Sequence, residues 1–317
     1  MHRLRSRVPA AFVALLACAP LAWTAPHPQA AALHPPEASA KGEALLTRIA
    51  VLGASVSSGY GLAPDPAGGR IDLARVIDSS LAIPHEPILD ASSAMTFGDP
   101  VGAAQRAFRT LEEKPPTLVG ALDYLFWFGY GSSWGGEAER LAALERGLAP
   151  LAKLECPILL GDFPDMSSAL QAKMPLLPPQ AVPAPEVLQK LNARLAEWAK
   201  QHPNVIVVPV SKLMIALRTG EDLHVGANLW PKGRVQSLLQ DDGLHTTLEG
   251  TTGVWLFAVE RLRDAHKDLP RAAIEARAAE IVHKIVPDLK VEVVADPVAA
   301  KAKAAGNTKG AKGTKEH

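Results

Sequence analysis

Arg48-Ile-Ala-Val-Leu-Gly53-Ala-Ser55-Val-Ser-Ser-Gly-Tyr-Gly-Leu62 decides the fold of this chain, because a short apolar run empties into a glycine and a serine where a strand should end. Such a transition places a hydroxyl at an exposed strand-to-helix turn. Working outward, strand-like apolar runs recur near 48–53, 118–128, 157–161 and 204–209, with stretches between them long enough to hold helices. That alternation predicts an α/β protein, a parallel sheet with helices on both faces. Between two of these runs, Val187–Lys200 sets Leu188, Leu191, Leu195 and Trp198 at spacings of three to four, an amphipathic helix. The proline-rich stretch Pro175–Pro185 reads as a surface loop. The aromatic run Tyr124–Tyr130 reads as a buried central strand, and Arg271–Ile285 as an Ala-rich helix outside the core.

The 317 residues are 48% hydrophobic, enough to bury a sizeable core. The formal charge of zero hides an asymmetry, with Arg3, Arg5 and Arg7 at one end and 5 lysines beyond residue 297 at the other. Without those ends, 25 basic residues face 32 acidic ones, which argues against a nucleic-acid-binding core. The arginines precede the apolar run Val8–Ala17, too short to span a bilayer, and the pair reads as an export signal within residues 1–32. Leu15-Leu-Ala-Cys18 is similar to a bacterial lipobox, which implies a membrane tether through Cys18, while Ala30-Ala-Ala32 suits an ordinary signal peptidase. Either route predicts a periplasmic, secreted or lipid-anchored protein. Only Cys156 then remains in the folded domain, so no internal disulfide is available, and core packing is its expected role. Residues 33–45 read as a linker, 46–268 as the main domain, 269–297 as a helical extension and 298–317 as a disordered Lys/Ala/Gly tail.

A second segment far downstream, Asp241-Asp242-Gly-Leu-His245-Thr-Thr-Leu-Glu-Gly250, gives the serine its meaning. A serine hydroxyl is a weak nucleophile until an imidazole takes its proton, and that imidazole must be oriented by a third group. A carboxylate three residues before the histidine can reach its Nδ1 within one turn of chain, leaving Nε2 to face the serine. Alone, a serine after a strand is commonly a helix N-cap, and Asp-x-x-His is commonly surface sequence.

Together and in this order, they resemble the GDSL-like SGNH hydrolases, whose serine lies near the start and whose Asp-x-x-His lies near the end. The likeness covers roughly 46–265 and is nearest to the bacterial acyl-esterase, thioesterase and lysophospholipase branch. It implies a flavodoxin-like three-layer α/β/α sandwich, a serine esterase without a cofactor or metal, and a monomer acting on a small-molecule, lipid or sugar ester. It also implies Ser55 as nucleophile, His245 as general base and Asp242 as its orienting partner. Around the oxyanion it puts Ser55, Gly98 and Gly131, with Ala94 the alternative to Gly98 in the loosely similar Leu89-Asp-Ala-Ser-Ser-Ala-Met-Thr-Phe-Gly98. Two departures stand out. Ala54 occupies the position of the aspartate in the family's name motif. The third block, ordinarily Gly-x-Asn-Asp at a strand end, reads Gly129-Tyr130-Gly131-Ser132-Ser133, with glycine for asparagine. Ser132, Ser133 or Tyr130 is left to donate instead, and losing one such donor typically costs ~10²–10³ in turnover.

Trp134 and Trp230 lie in loop-like sequence and are candidate acyl or sugar contacts, and Asp162 and Asp165 belong to a solvated loop after a strand. A dinucleotide enzyme is disfavoured, since five residues separate Gly53 from Gly59 and none of the three tyrosines has a lysine four residues on. Metal hydrolysis is disfavoured because His85, His202, His224 and His266 are dispersed. The remaining alternative is a catalytically impaired binding or cell-envelope scaffold protein that keeps the fold.

Overall fold

The computed structural model describes residues 37–66, 68–131 and 135–297. The export signal with Cys18, Ser132, Ser133 and Trp134, and the 298–317 tail lie outside them.

After a first helix, α1 (Glu37–Ala44), the chain enters β1 (Ile49–Val51), α2 (Leu73–Ser80), β2 (Leu89–Asp90), α3 (Pro100–Glu113) and β3 (Leu118–Ala121). There follow α4 (Phe126–Tyr130), α5 (Glu137–Leu151), β4 (Ile158–Gly161), α6 (Pro185–Lys200), β5 (Val205–Val208) and α7 (Val210–Thr219). The last elements are β6 (Leu223–Val225), β7 (Asn228–Trp230), α8 (Leu248–Ala265), α9 (Ala278–Ile285) and β8 (Val294–Ala295). Strands pair in the order β2-β1-β3-β4-β5, every pairing parallel. This is the doubly wound order in which ligands gather at the carboxyl ends of the strands. β1, β3 and β4 are buried along their whole length, as a sheet covered on both faces requires. One core layer joins α2, α8 and α9 to the sheet, and the other joins α3, α5 and α6 to its opposite face. The chain is thus the expected three-layer α/β/α sandwich.

Several elements differ from the sequence reading. The run 118–128 is not one strand: β3 stops at Ala121 and the aromatic residues coil into α4. A segment apolar on every side carries no periodicity to separate strand from helix. The 33–45 stretch is not all linker, since α1 ends it and Gly42 packs against the backbone of Asp268 so closely that a β-carbon would collide. Arg271–Ile285 does not lie outside the core. It breaks after a short 3₁₀ turn, and α9 then buries Ile281, Val282 and Ile285 against α2 and α8. A small antiparallel sheet, β6-β7-β8, was not foreseen.

The 3₁₀ turn Pro179–Ala181 inside the proline-rich loop is held by Arg140, a buried residue of α5. Its guanidinium donates to the carbonyls of Gly129, Gln180 and Ala181, fastening that loop to α4. Both segments reach the site.

Candidate active site

Ser55 sits one turn beyond β1, where the chain leaves the sheet. The turn is held from the neighbouring strand by Asp123, two residues past the end of β3. Its part-buried carboxylate accepts the N–H groups of Ala54 (3.0 Å), Val56 (2.9 Å) and Ser57 (3.1 Å) and the Ser57 hydroxyl (2.5 Å). Burial pushes this carboxyl above the ordinary carboxylate range, and the four donors offset part of that. The N–H of Ser55 is skipped, and it makes no hydrogen bond to any described residue. A turn of converging amides wrapped on an anion therefore leaves one amide aimed elsewhere, as an oxyanion donor must be.

The glycines of Gly59-Tyr60-Gly61 are required by shape. Gly59 (φ 70°) and Gly61 (φ 73°) take left-handed backbone. A side chain would strike the Ile71 carbonyl at Gly59 and the Gln240 side chain at Gly61. Gln240 then joins this turn to the distal one: its amide donates to the carbonyls of Tyr60 and Thr246, each at 2.8 Å, and its backbone N–H donates to the His245 carbonyl at 2.8 Å.

In the distal turn the bonds that orient the imidazole are local. Asp242 Oδ2 lies 2.7 Å from His245 Nδ1, while Oδ1 accepts the N–H groups of Leu244 (2.8 Å) and His245 (2.9 Å). Both side chains are buried. Burial opposes the Asp242 charge, yet the His245 amide and ring and the Leu244 amide together hold its carboxyl below the usual range. An ionised, oriented carboxylate on Nδ1 fixes the tautomer with Nε2 free to accept a proton. The Tyr60 ring lies 4.4 Å from the imidazole, centroid to centroid.

Ser55 and His245 open into one broad pocket of 380 Å³, walled by Tyr60, Ala94, Phe97, Trp127, Leu176 and Pro178 among others. The Ser55 hydroxyl has no hydrogen bond to a described residue; nucleophile–base contacts are often loose before substrate arrives. Ser55 also borders a second, narrow hollow of 110 Å³ that runs between the ends of β3 and β4 and the helices α7 and α8.

The structure brings Ser55, Asp242 and His245 to one place, with Ala94 in the same pocket, and it leaves Gly98 and Gly131 out of that pocket. Gly98 is exposed, its N–H donates to the Met95 carbonyl (3.3 Å), and it does not line the pocket. Ala94, at the start of the same 3₁₀ turn, does line it. Gly131 caps α4 and lines neither hollow. Trp230 is no substrate contact: it is fully buried in β7 with its indole N–H 2.7 Å from Glu249. Asp162 is part-buried and accepts the Ser211 amide (2.8 Å) and hydroxyl (2.5 Å), and burial raises its carboxyl. Asp165 remains at the surface, paired with Arg218. Cys156 is half-buried beside β4, with its thiol pushed up to about 11 by burial, which makes it a poor nucleophile at neutral pH.

The residue that sequence reasoning missed is Asp123. Gly120-Ala-Leu122-Asp123 ends β3 next to the serine turn, and it resembles the Gly-x-Asn-Asp pattern expected at 129–133, with leucine in the asparagine position. The signal was a glycine and an aspartate three residues apart at a strand end.

Among the described residues no group of His, Cys, Asp and Glu is arranged to hold a metal ion, and no helix is long and apolar enough to cross a membrane. No protein-family profile matches the chain, and no significant match to it is found among curated proteins. Among solved structures, the chain is similar to one described as a gut microbial diltiazem-metabolizing enzyme, at 16% identity and a TM-score of 0.44. The match covers 68% of this chain and 46% of that one, so the chain spans about half of that protein's length.

Proposed function

We propose that this protein is a serine ester hydrolase of the SGNH type, acting through an acyl-enzyme on a carboxylic or thioester. The observation that carries the proposal is the shared pocket of Ser55 and an Asp242-oriented His245, with the Ser55 amide unengaged. Ser55 Oγ attacks the acyl carbon while His245 Nε2 takes its proton. The carbon–oxygen bond to the alcohol then breaks, and the alcohol leaves with that proton. A water repeats the sequence on the acyl-enzyme, releasing the acid and returning the proton to Ser55. The developing oxyanion is received by the Ser55 amide and, in place of Gly98, by the Ala94 amide at the pocket wall. The sequence reading of an exported protein, lipid-anchored or free, belongs to the same proposal.

The presence of Leu122 at the asparagine position favours a second reading, an impaired hydrolase that only binds. One measurement separates the two: hydrolysis of p-nitrophenyl esters and labelling by a fluorophosphonate probe, in wild type and Ser55→Ala. A hydrolase loses both in the variant, with kcat down about a millionfold toward background. A wild type that neither turns over nor labels, while folded, establishes the binding protein.

A further inference from the structure

The two hollows that share Ser55 differ in one chemical respect. His245 lines the broad pocket and is absent from the narrow one, although its neighbours Leu244 and Thr246 border that hollow. In the acyl-transfer reaction proposed above, on which this inference rests, the departing alcohol must collect the proton carried on Nε2 of His245. The leaving group therefore belongs on the side where the imidazole is, and the acyl group is left the side where it is not.

We propose that the narrow hollow is the acyl pocket and the broad pocket the alcohol site, and that the preferred acyl group is a short, straight, uncharged chain. Leu122, Met166, Leu213, Met214 and Leu217 make the narrow walls apolar. Its polar members are already engaged: Asp123 by the serine turn, Asp162 by Ser211 and Thr246 by Thr251. Apart from Ser55, no side-chain donor there is spare for a polar tail, and two part-buried carboxyl groups oppose a negative one. The 110 Å³ of space is less than a third of the 380 Å³ of the broad pocket, which favours a short acyl chain over a long one. Leu122 thus has a use at the strand end: it replaces a polar donor with the inner wall of a hydrocarbon slot. The broad pocket, at 380 Å³ with Tyr60, Phe97 and Trp127, suits a larger alcohol.

The experiment uses the whole chain, first labelled with a fluorophosphonate probe and then assayed on p-nitrophenyl acetate, butyrate and octanoate. Leu217→Trp, at a half-buried position on α7, adds bulk to the hollow, and Met214→Phe does so from the neighbouring turn. Wild type should prefer butyrate to octanoate. Leu217→Trp and Met214→Phe should each lower the butyrate-to-acetate ratio of kcat/KM by about tenfold, the discrimination a pocket makes over one or two methylenes. Phe97→Ala, in the broad pocket, should leave that ratio within about twofold and should change the ranking of alcohols instead, read with phenyl, naphthyl and ethyl butyrates. Melting temperatures identify any variant that fails to fold, and two independent fillers keep the test alive if one does. Labelled, folded fillers with an unmoved ratio overturn the division of the site, as does a ratio that moves in Phe97→Ala. Absence of labelling in wild type overturns the hydrolase reading itself, and this inference with it.

Discussion

The two turns that meet at the site are built in opposite ways. The Asp242–His245 turn carries its own support, with every hydrogen bond that orients the imidazole made inside four residues. The Ser55 turn makes three of its key amide bonds to a carboxylate 66 to 69 positions away in sequence. It exists only because β1 and β3 are adjacent and parallel. A self-supporting turn can be read and damaged locally. The borrowed one couples the nucleophile's position to the assembly of the sheet.

Breaking the local turn should have the largest effect in this comparison. Asp242→Asn keeps the shape but offers Nδ1 an amide that can act as a donor, so the wrong tautomer follows, and kcat should fall about 10⁴-fold. Stability should follow pH in a definite sense. Because the folded-state Asp242 carboxyl is held low, its contribution is fully present above the ordinary carboxylate pKa and is lost as pH falls through the depressed value. The melting-temperature gap between wild type and Asp242→Asn should therefore be constant at neutral pH and close below about pH 4. A gap that widened in acid would contradict the hydrogen-bonded arrangement.

Breaking the borrowed support should cost less. Asp123→Asn keeps one acceptor oxygen but turns an NH₂ group toward the turn's own N–H groups, which shifts the nucleophile. A displacement of that order typically costs about 10² in kcat with little change in KM. Stability should fall by less than the lost bonds suggest, since burial already disfavours the Asp123 charge and removing it relieves that cost. Equal losses of kcat and melting temperature would instead make Asp123 a general structural residue. Slower fluorophosphonate labelling of a folded variant marks it as the positioning residue.

What could be read from the sequence follows the same division. Ser55, Asp242 and His245 were legible because each lies in a short motif whose chemistry is local. The alternation of strands with helical stretches was legible because β1, β4, β5 and α6 each keep their pattern within one element. Asp123 was not legible, since nothing near it in sequence shows that it faces Ala54 and Val56. α4 was hidden inside an apolar run, and β2 is only two residues long. Trp230 sits among loop-like neighbours, and its burial depends on Glu249 and Gly253 of α8, a partner visible only after folding.

That last contact supplies the smallest expected effect on activity. Glu249, buried in the first turn of α8, gathers the indole N–H of Trp230 (2.7 Å) and the backbone amides of Glu292 (3.0 Å) and Val293 (2.8 Å). It ties β7 and the segment before β8 to the helix and lines neither hollow. Glu249→Gln keeps one oxygen to accept these donors but removes the charge that strengthens them, at a cost of about 1–2 kcal/mol. Nothing in the pocket depends on that carboxylate, so kcat should stay within about twofold of wild type while the melting temperature falls by a few degrees. A loss of kcat as large as that of Asp123→Asn would mean that support for the distal turn extends through α8 as well, and the contrast between a self-supporting turn and a borrowed one would then fail.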